Sequence, residues 1–175
     1  MPGGDTPGSG YAKQTDPGRV ADDPLGVNMA STHASLFYHI VFSTKNRRPI
    51  LEKNLRDRLH AYMGGCLHTL NAFPKAIGGV KDHVHLLVQL RPTQNPSDVV
   101  RELKKHSTTW VHEETGSRAF AWQAGYSVFT VSPTSIDAIV KYIHEQEEHH
   151  YNKSFMEELQ QMLDKAGVPY DPTYL

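Results

Sequence analysis

The sequence predicts an α+β fold, a ferredoxin-like βαββαβ antiparallel sheet with two helices on one face and an extra C-terminal helix. Three observations predict it. Runs rich in β-branched and aromatic residues read as strands at 34–45, around 73–80, at 81–90 and at 126–132. Apolar residues at helical spacing fall between the first and second strands and between the third and fourth. Only "GGVKD" separates the second strand from the third, so those two form a hairpin. This order is the split βαβ arrangement.

The first strand, "ASLFYHIVFSTK", runs into a basic turn, "NRRPI". In "LEKNLRDRLHAYMGGCLHTLN", Leu51, Leu55, Leu59, Tyr62 and Met63 form the apolar stripe of a first helix. "NPSDVVRELKKHSTTWVHEE" opens on cap residues and predicts a second helix over about 96–114. After the strand "YSVFTVS", a capping segment leads into one continuous helix, "SPTSIDAIVKYIHEQEEHHYN", running to about residue 150. "SFMEELQQMLDKAG" predicts a last short helix, closed by Gly167 and Pro169.

The 175 residues suffice for one domain with a real core, assigned to 29–175. Residues 1–28, rich in Gly, Pro and Asp and without hydrophobic period, read as a disordered leader. A formal charge of −1 gives no global field for a polyanion, so any such partner must meet clustered cations. Cys66 is the only cysteine, which excludes an intrachain disulfide or a cysteine-based zinc site and suits a reducing cytoplasm. No stretch approaches the length of a membrane span, and no secretory signal core is present, so a cytoplasmic location with no membrane partner is expected.

Eleven histidines are many for this length, and "KDHVHLLVQL" places two of them one residue apart in an apolar run. The strand period sends Val84, Leu86, Val88 and Leu90 to one face and His83, His85, Leu87 and Gln89 to the other. The imidazoles then share the face turned away from the core, left for a ligand or for the extra helices. Neutral imidazoles at i and i+2 can converge on one cation, though a third ligand must come from elsewhere. In the helix after the last strand, Ile136, Ile139, Val140 and Ile143 form the apolar stripe. Tyr142 and Gln146 lie one turn apart on its flank, and His149 continues that flank.

Together "HVH" on a strand, "WQAGYSVFTVS" before the last core strand and "YIHEQEEHH" on the next helix resemble the single-tyrosine HUH transposases. These include insertion-sequence enzymes and their REP-associated relatives. The resemblance runs from about Ser35 to Leu175 and takes in the terminal "GVPYDPTYL". It implies that His83 and His85 are metal ligands, Gln146 the third ligand and Tyr142 the nucleophile. The implied activity is cleavage and rejoining of single-stranded DNA through a 5′-phosphotyrosine, with Mg2+ or Mn2+ as cofactor. The implied partners are hairpin element ends or repeats and a second subunit in a homodimer.

Basic residues offer DNA contacts in two sets: Lys45, Arg47 and Arg48 in the turn after the first strand, and Arg101, Lys104 and Lys105 on the second helix. Trp122 and Tyr126 are candidates for stacking on bases, and Phe129 for the core. A nucleotide hydrolase or transferase of the histidine-triad kind would need a third histidine at position 87, which is Leu. The alternative of another class is a domesticated module that binds and processes hairpin repeats without mobilising an element.

Overall fold

The computed structural model describes residues 33–151 and 153–174. The leader read over 1–28 lies outside them. Four strands, β1 (Phe37–Ser43), β2 (Phe73–Gly79), β3 (His83–Gln89) and β4 (Ser127–Val131), form one sheet in the order β2-β3-β1-β4. Every neighbouring pair is antiparallel, with Val41 opposite His85 and Ser43 opposite His83 between β1 and β3. This is the predicted ferredoxin-like topology.

One sheet face is the core that the alternation predicts. Ile40 and Phe42 of β1 and Val84, Leu86 and Val88 of β3 pack under α1 (Lys53–Thr69) and α2 (Pro96–Thr115). From α1 come Leu59, Met63 and Leu67, and from α2 come Val99, Val100, Leu103 and Val111. Asn95 caps α2 by accepting from the Ser97 amide at 3.0 Å, with Pro96 in the first turn.

The other face is covered as well, by α3 (Ile136–His144), α4 (Gln146–His149) and α5 (Phe155–Ala166). Phe37, Ala76 and Leu87 meet Ile143 of α3, while Val41 meets Phe155, Leu159 and Leu163 of α5. Every residue of β3 but Gln89 is therefore buried, and the histidine face is a second core roofed by the chain's own helices.

The predicted continuous helix to about residue 150 is corrected: it breaks at Glu145, whose backbone (φ −93°, ψ 17°) leaves helical geometry. Arg56 of α1, almost wholly buried, and Lys53 both pair with Glu147, which draws α4 onto the start of α1. The expected capping segment before α3 is a 3-10 turn (Pro133–Ser135) with no side-chain cap. A full capping box stands instead at α5, between Ser154 and Glu157.

Two glycines set the approach of the layers. A Cβ on Gly78 would lie 2.2 Å from the Ile143 carbonyl oxygen, so its absence lets α3 rest directly on β2. Gly79, at φ +148°, turns the hairpin, and a Cβ there would lie 2.3 Å from the His83 carbonyl oxygen.

Candidate active site

Strand β3 supplies two imidazoles at the end of the sheet where it pairs with Ser43 and Val41. His83 and His85 are fully buried, not open to solvent, because α4 and α5 close over them. Each ring is oriented from behind. His83 Nδ1 is 2.7 Å from Asp82 Oδ1, and His85 Nδ1 is 3.0 Å from His39 Nε2. A carboxylate can only accept there, so the His83 Nδ1 carries a proton and its Nε2 is turned inward. Burial, then the neighbouring His85, pushes His39 down to about 3, and burial pushes His85 down to about 4. Both rings are neutral at pH 7, the form that ligates metals.

The C-terminal helices bring the remaining groups. Gln146, 1% exposed, points its Oε1 at His83 Nε2 from 3.3 Å. Tyr142 lies edge-on to His85, with ring centroids 5.8 Å apart, and 4.9 Å from the ring of His149. Its hydroxyl donates to Oε1 of Glu158, which also accepts from Gln146 Nε2 at 3.0 Å. Burial and this carboxylate both push the Tyr142 phenol above its ordinary range, so it stands protonated.

Glu158 was not among the residues singled out from the sequence, nor was His39. His150 packs against Glu158: its Nδ1 is 2.7 Å from the Lys153 carbonyl oxygen and its Nε2 3.0 Å from Glu158 Oε2. Burial works against the Glu158 charge, but hydrogen bonds from His150 and Tyr142, with His85 close by, hold its carboxyl well below the carboxylate range. A signal for Glu158 existed. It falls among Phe155, Leu159 and Leu163 on the stripe that α5 buries, where a charge needs a partner.

The donor chemistry fits a divalent metal. One ligand atom each of His83, His85, His150 and Glu158 lie within 4.8 Å of one another. His85 Nε2 is buried without a hydrogen bond, an orphaned atom of the type that an ion satisfies.

The basic residues occupy two regions. Lys45 and Arg47 form a 3-10 turn directly after β1, with Arg48 next, at the sheet end that carries His83. Asn46 and Arg47 there both adopt positive φ, at 58° and 52°, a backbone cost concentrated beside the site. Arg101 is engaged with Asp98 and Glu102 on the exposed side of α2, and Lys105 lies 3.8 Å from Glu102. Lys104 is turned inward: its Nζ donates to the carbonyls of Gln123, Ala124 and Gly125 and sits over the rings of Phe42 and Tyr126. The expected base stacking by Trp122 is corrected. Its ring is buried edge-on to Phe42 and Phe120, and its Nε1 donates to Ser107 Oγ at 2.9 Å.

With tyrosine, paired histidines and glutamine on one chain, comparison with known proteins becomes decisive. The family described as "Transposase IS200 like" matches residues 32–146. The chain belongs to the IS200-like transposase family. Curated relatives are the transposases for insertion sequence element IS200 of Salmonella typhimurium (strain LT2) and Salmonella typhi. Each is 28% identical over 149 residues, covering 82% of this chain and 91% of the relative. Two solved structures share the fold. A Deinococcus radiodurans R1 protein provisionally described as a transposase gives a TM-score of 0.54 at 24% identity, over 69% of this chain and 98% of that one. A REP-associated tyrosine transposase bound to a REP hairpin gives 0.52 at 17% identity, over 70% and 74%. This IS200-like transposase is thus a DNA strand-transferring enzyme acting on single-stranded DNA, as its sequence motifs imply. Among the described residues no helix is long and apolar enough to cross a membrane.

Proposed function

We propose that Tyr142 is the nucleophile of this transposase and that His83, His85 and Gln146 hold a divalent ion, Mg2+ or Mn2+, beside the scissile phosphate. The observation that carries the reading is the convergence of Tyr142 and Gln146 on the two histidines across 57 to 63 positions of chain. A divalent ion at this site supplies charge stabilisation for the phosphate oxygens and the departing 3′ oxygen.

The protein's own residues do the rest. Asp82 holds a proton on His83 Nδ1, and Asp82 and His39 set the angles of the two imidazoles. Tyr142 attacks phosphorus, an O–P bond to the phenol forms, the P–O3′ bond breaks, and the phenolic proton ends on the released 3′-OH. The 5′-phosphotyrosine retains the energy of the broken ester, so a 3′-OH can reverse the step and join a new strand. The phenol is a donor to Glu158 in this state, so attack requires that this bond be given up to the substrate.

Lys45, Arg47 and Arg48 are the proposed contacts to the strand entering the site, since they follow β1 at its catalytic end. Arg101 and Lys105 belong to α2, in the layer across the sheet from Tyr142, and would meet DNA away from the cleaved bond, whereas Lys104 is committed to the loop before β4. The hairpin held by the REP-associated structural neighbour supports hairpin element ends or repeats as substrate. A homodimer and a cytoplasmic location complete the proposal.

The test is incubation of the protein with single-stranded hairpin DNA, with Mg2+ or Mn2+ and with EDTA. A covalent protein–DNA adduct that forms with metal and disappears with EDTA supports the reading. Hairpin binding with no adduct under any metal condition would reject it.

A further inference from the structure

One acidic side chain at the centre of the site does more than accept the hydrogen bond from Tyr142. Glu158 is 4% exposed and sits on the apolar stripe of α5. Three imidazoles surround its Oε2: His150 Nε2 at 3.0 Å, His85 Nε2 at 3.3 Å and His83 Nε2 at 3.5 Å. In all three the Nδ1 is taken from behind, by Lys153 O, His39 Nε2 and Asp82 Oδ1 respectively, and the Nε2 is turned inward. One carboxylate oxygen offers about two lone pairs to donors. Three convergent Nε2 atoms, one of them without a hydrogen bond, are more than a hydrogen-bonding role explains.

Charge points the same way. An ionised carboxylate buried on the apolar stripe of a helix is costly, and a divalent cation among these atoms would balance it. Its other oxygen is already committed to Tyr142 and Gln146.

We propose that Glu158 and His150 ligate the same divalent ion as His83 and His85, so that α5 closes the metal centre with a carboxylate and a third imidazole. This rests on the reading of His83 and His85 as metal ligands. Three imidazoles and one carboxylate suit a borderline ion such as Mn2+ better than Mg2+, which prefers oxygen donors and water. An ion that accepts six donors keeps positions for phosphate oxygens beyond these four. Gln146 serves both parts of the centre, its Oε1 facing His83 Nε2 and its Nε2 holding Glu158. The nucleophile and the ion share one carboxylate, Tyr142 on Oε1 and the ion on Oε2.

The test is Mn2+ binding to the full-length protein without DNA, measured by calorimetry and by the paramagnetic resonance of free Mn2+. The variants are H83A/H85A, Glu158→Gln, His150→Ala and Gln146→Ala, each checked for fold by circular dichroism. Glu158→Gln and His150→Ala should each weaken Mn2+ about tenfold or more, and Gln146→Ala less. Mn2+ should slow hydrogen exchange across Phe155–Ala166 in the wild type but not in Glu158→Gln, an effect that a merely structural glutamate would not produce. Should Glu158→Gln fail to fold, Glu158→Asp keeps the charge on a shorter arm and should bind with intermediate affinity.

Wild-type affinity in Glu158→Gln, with binding lost in H83A/H85A, would overturn the proposal and leave the histidine metal site standing. Unchanged binding in H83A/H85A would remove both. Equal competition by Mg2+ at the same concentration would overturn the assignment to a borderline ion.

Discussion

The hydroxyl of Tyr142 on α3 donates to the carboxylate of Glu158 on α5, so the proposed nucleophile is held by a helix outside the span that matches the family. The same carboxylate accepts from Gln146 and faces His83, His85 and His150. The helices that roof the sheet and the residues of the reaction are therefore one packing unit. A change in how α3 or α5 sits moves the chemistry with it.

Gly78 gives the most direct packing test. Gly78→Ala would drive a Cβ into the Ile143 carbonyl and its Cγ2, at 2.2 and 2.8 Å, one residue from Tyr142. Overpacking of this kind costs about 1–3 kcal/mol. The melting temperature should fall, and cleavage should fall more than stability alone explains, because Tyr142 is displaced from His85. Wild-type values for both would show that α3 is not seated on β2 as described.

His83→Ala and His85→Ala should each abolish cleavage, and here burial adds a second effect. His83 stacks on Phe155 with centroids 4.5 Å apart, so truncation leaves a void under α5. We expect a loss of about 1–3 kcal/mol, read by thermal or urea unfolding. Cleavage retained by the double variant would end the ligand assignment.

Gln146→Ala should be milder than either histidine change in a cleavage assay. An amide is a weak ligand that water can replace, and the Glu158 carboxylate keeps its bonds to Tyr142 and His150. Complete loss, equal to His83→Ala, would contradict this ranking.

Much of this was legible in the sequence, and the limits have physical causes. Period-two alternation in 81–90 placed both histidines on one face, and element order gave the sheet topology. What alternation cannot say is what covers that face, so the complete burial of His83 and His85 emerged only with α5 in place. His39 had a local signal, lying between Phe37 and Val41 on the same strand face. Its contact with His85 depends on the β1–β3 register, which sequence spacing does not specify. Glu158 lies beside Glu157, which caps α5 from the solvent side. Only the phase of the apolar stripe separates the two roles. The break at Glu145 is accompanied by the Arg56–Glu147 pair, a contact across 91 positions that no local window contains.

The two lysines side by side on α2 should behave differently. Lys104 binds three consecutive carbonyls of the loop before β4, so Lys104→Ala should lower the melting temperature. Lys105, exposed and only loosely paired with Glu102, should leave stability unchanged when replaced by Ala. If it meets a phosphate, its loss weakens DNA binding and reduces the salt slope by about one. A matching drop in stability for both variants would contradict the separate roles.

The most direct test of the central claim is the fate of the covalent adduct in Tyr142→Phe. The substitution removes one oxygen and its bond to Glu158 but keeps the ring packed against His85 and His39. The variant protein should fold, bind single-stranded hairpin DNA and form no adduct, while peptide mapping of the wild-type adduct should place the 5′ phosphate on Tyr142. An adduct mapped to another tyrosine, or one still formed by Tyr142→Phe, would contradict the account.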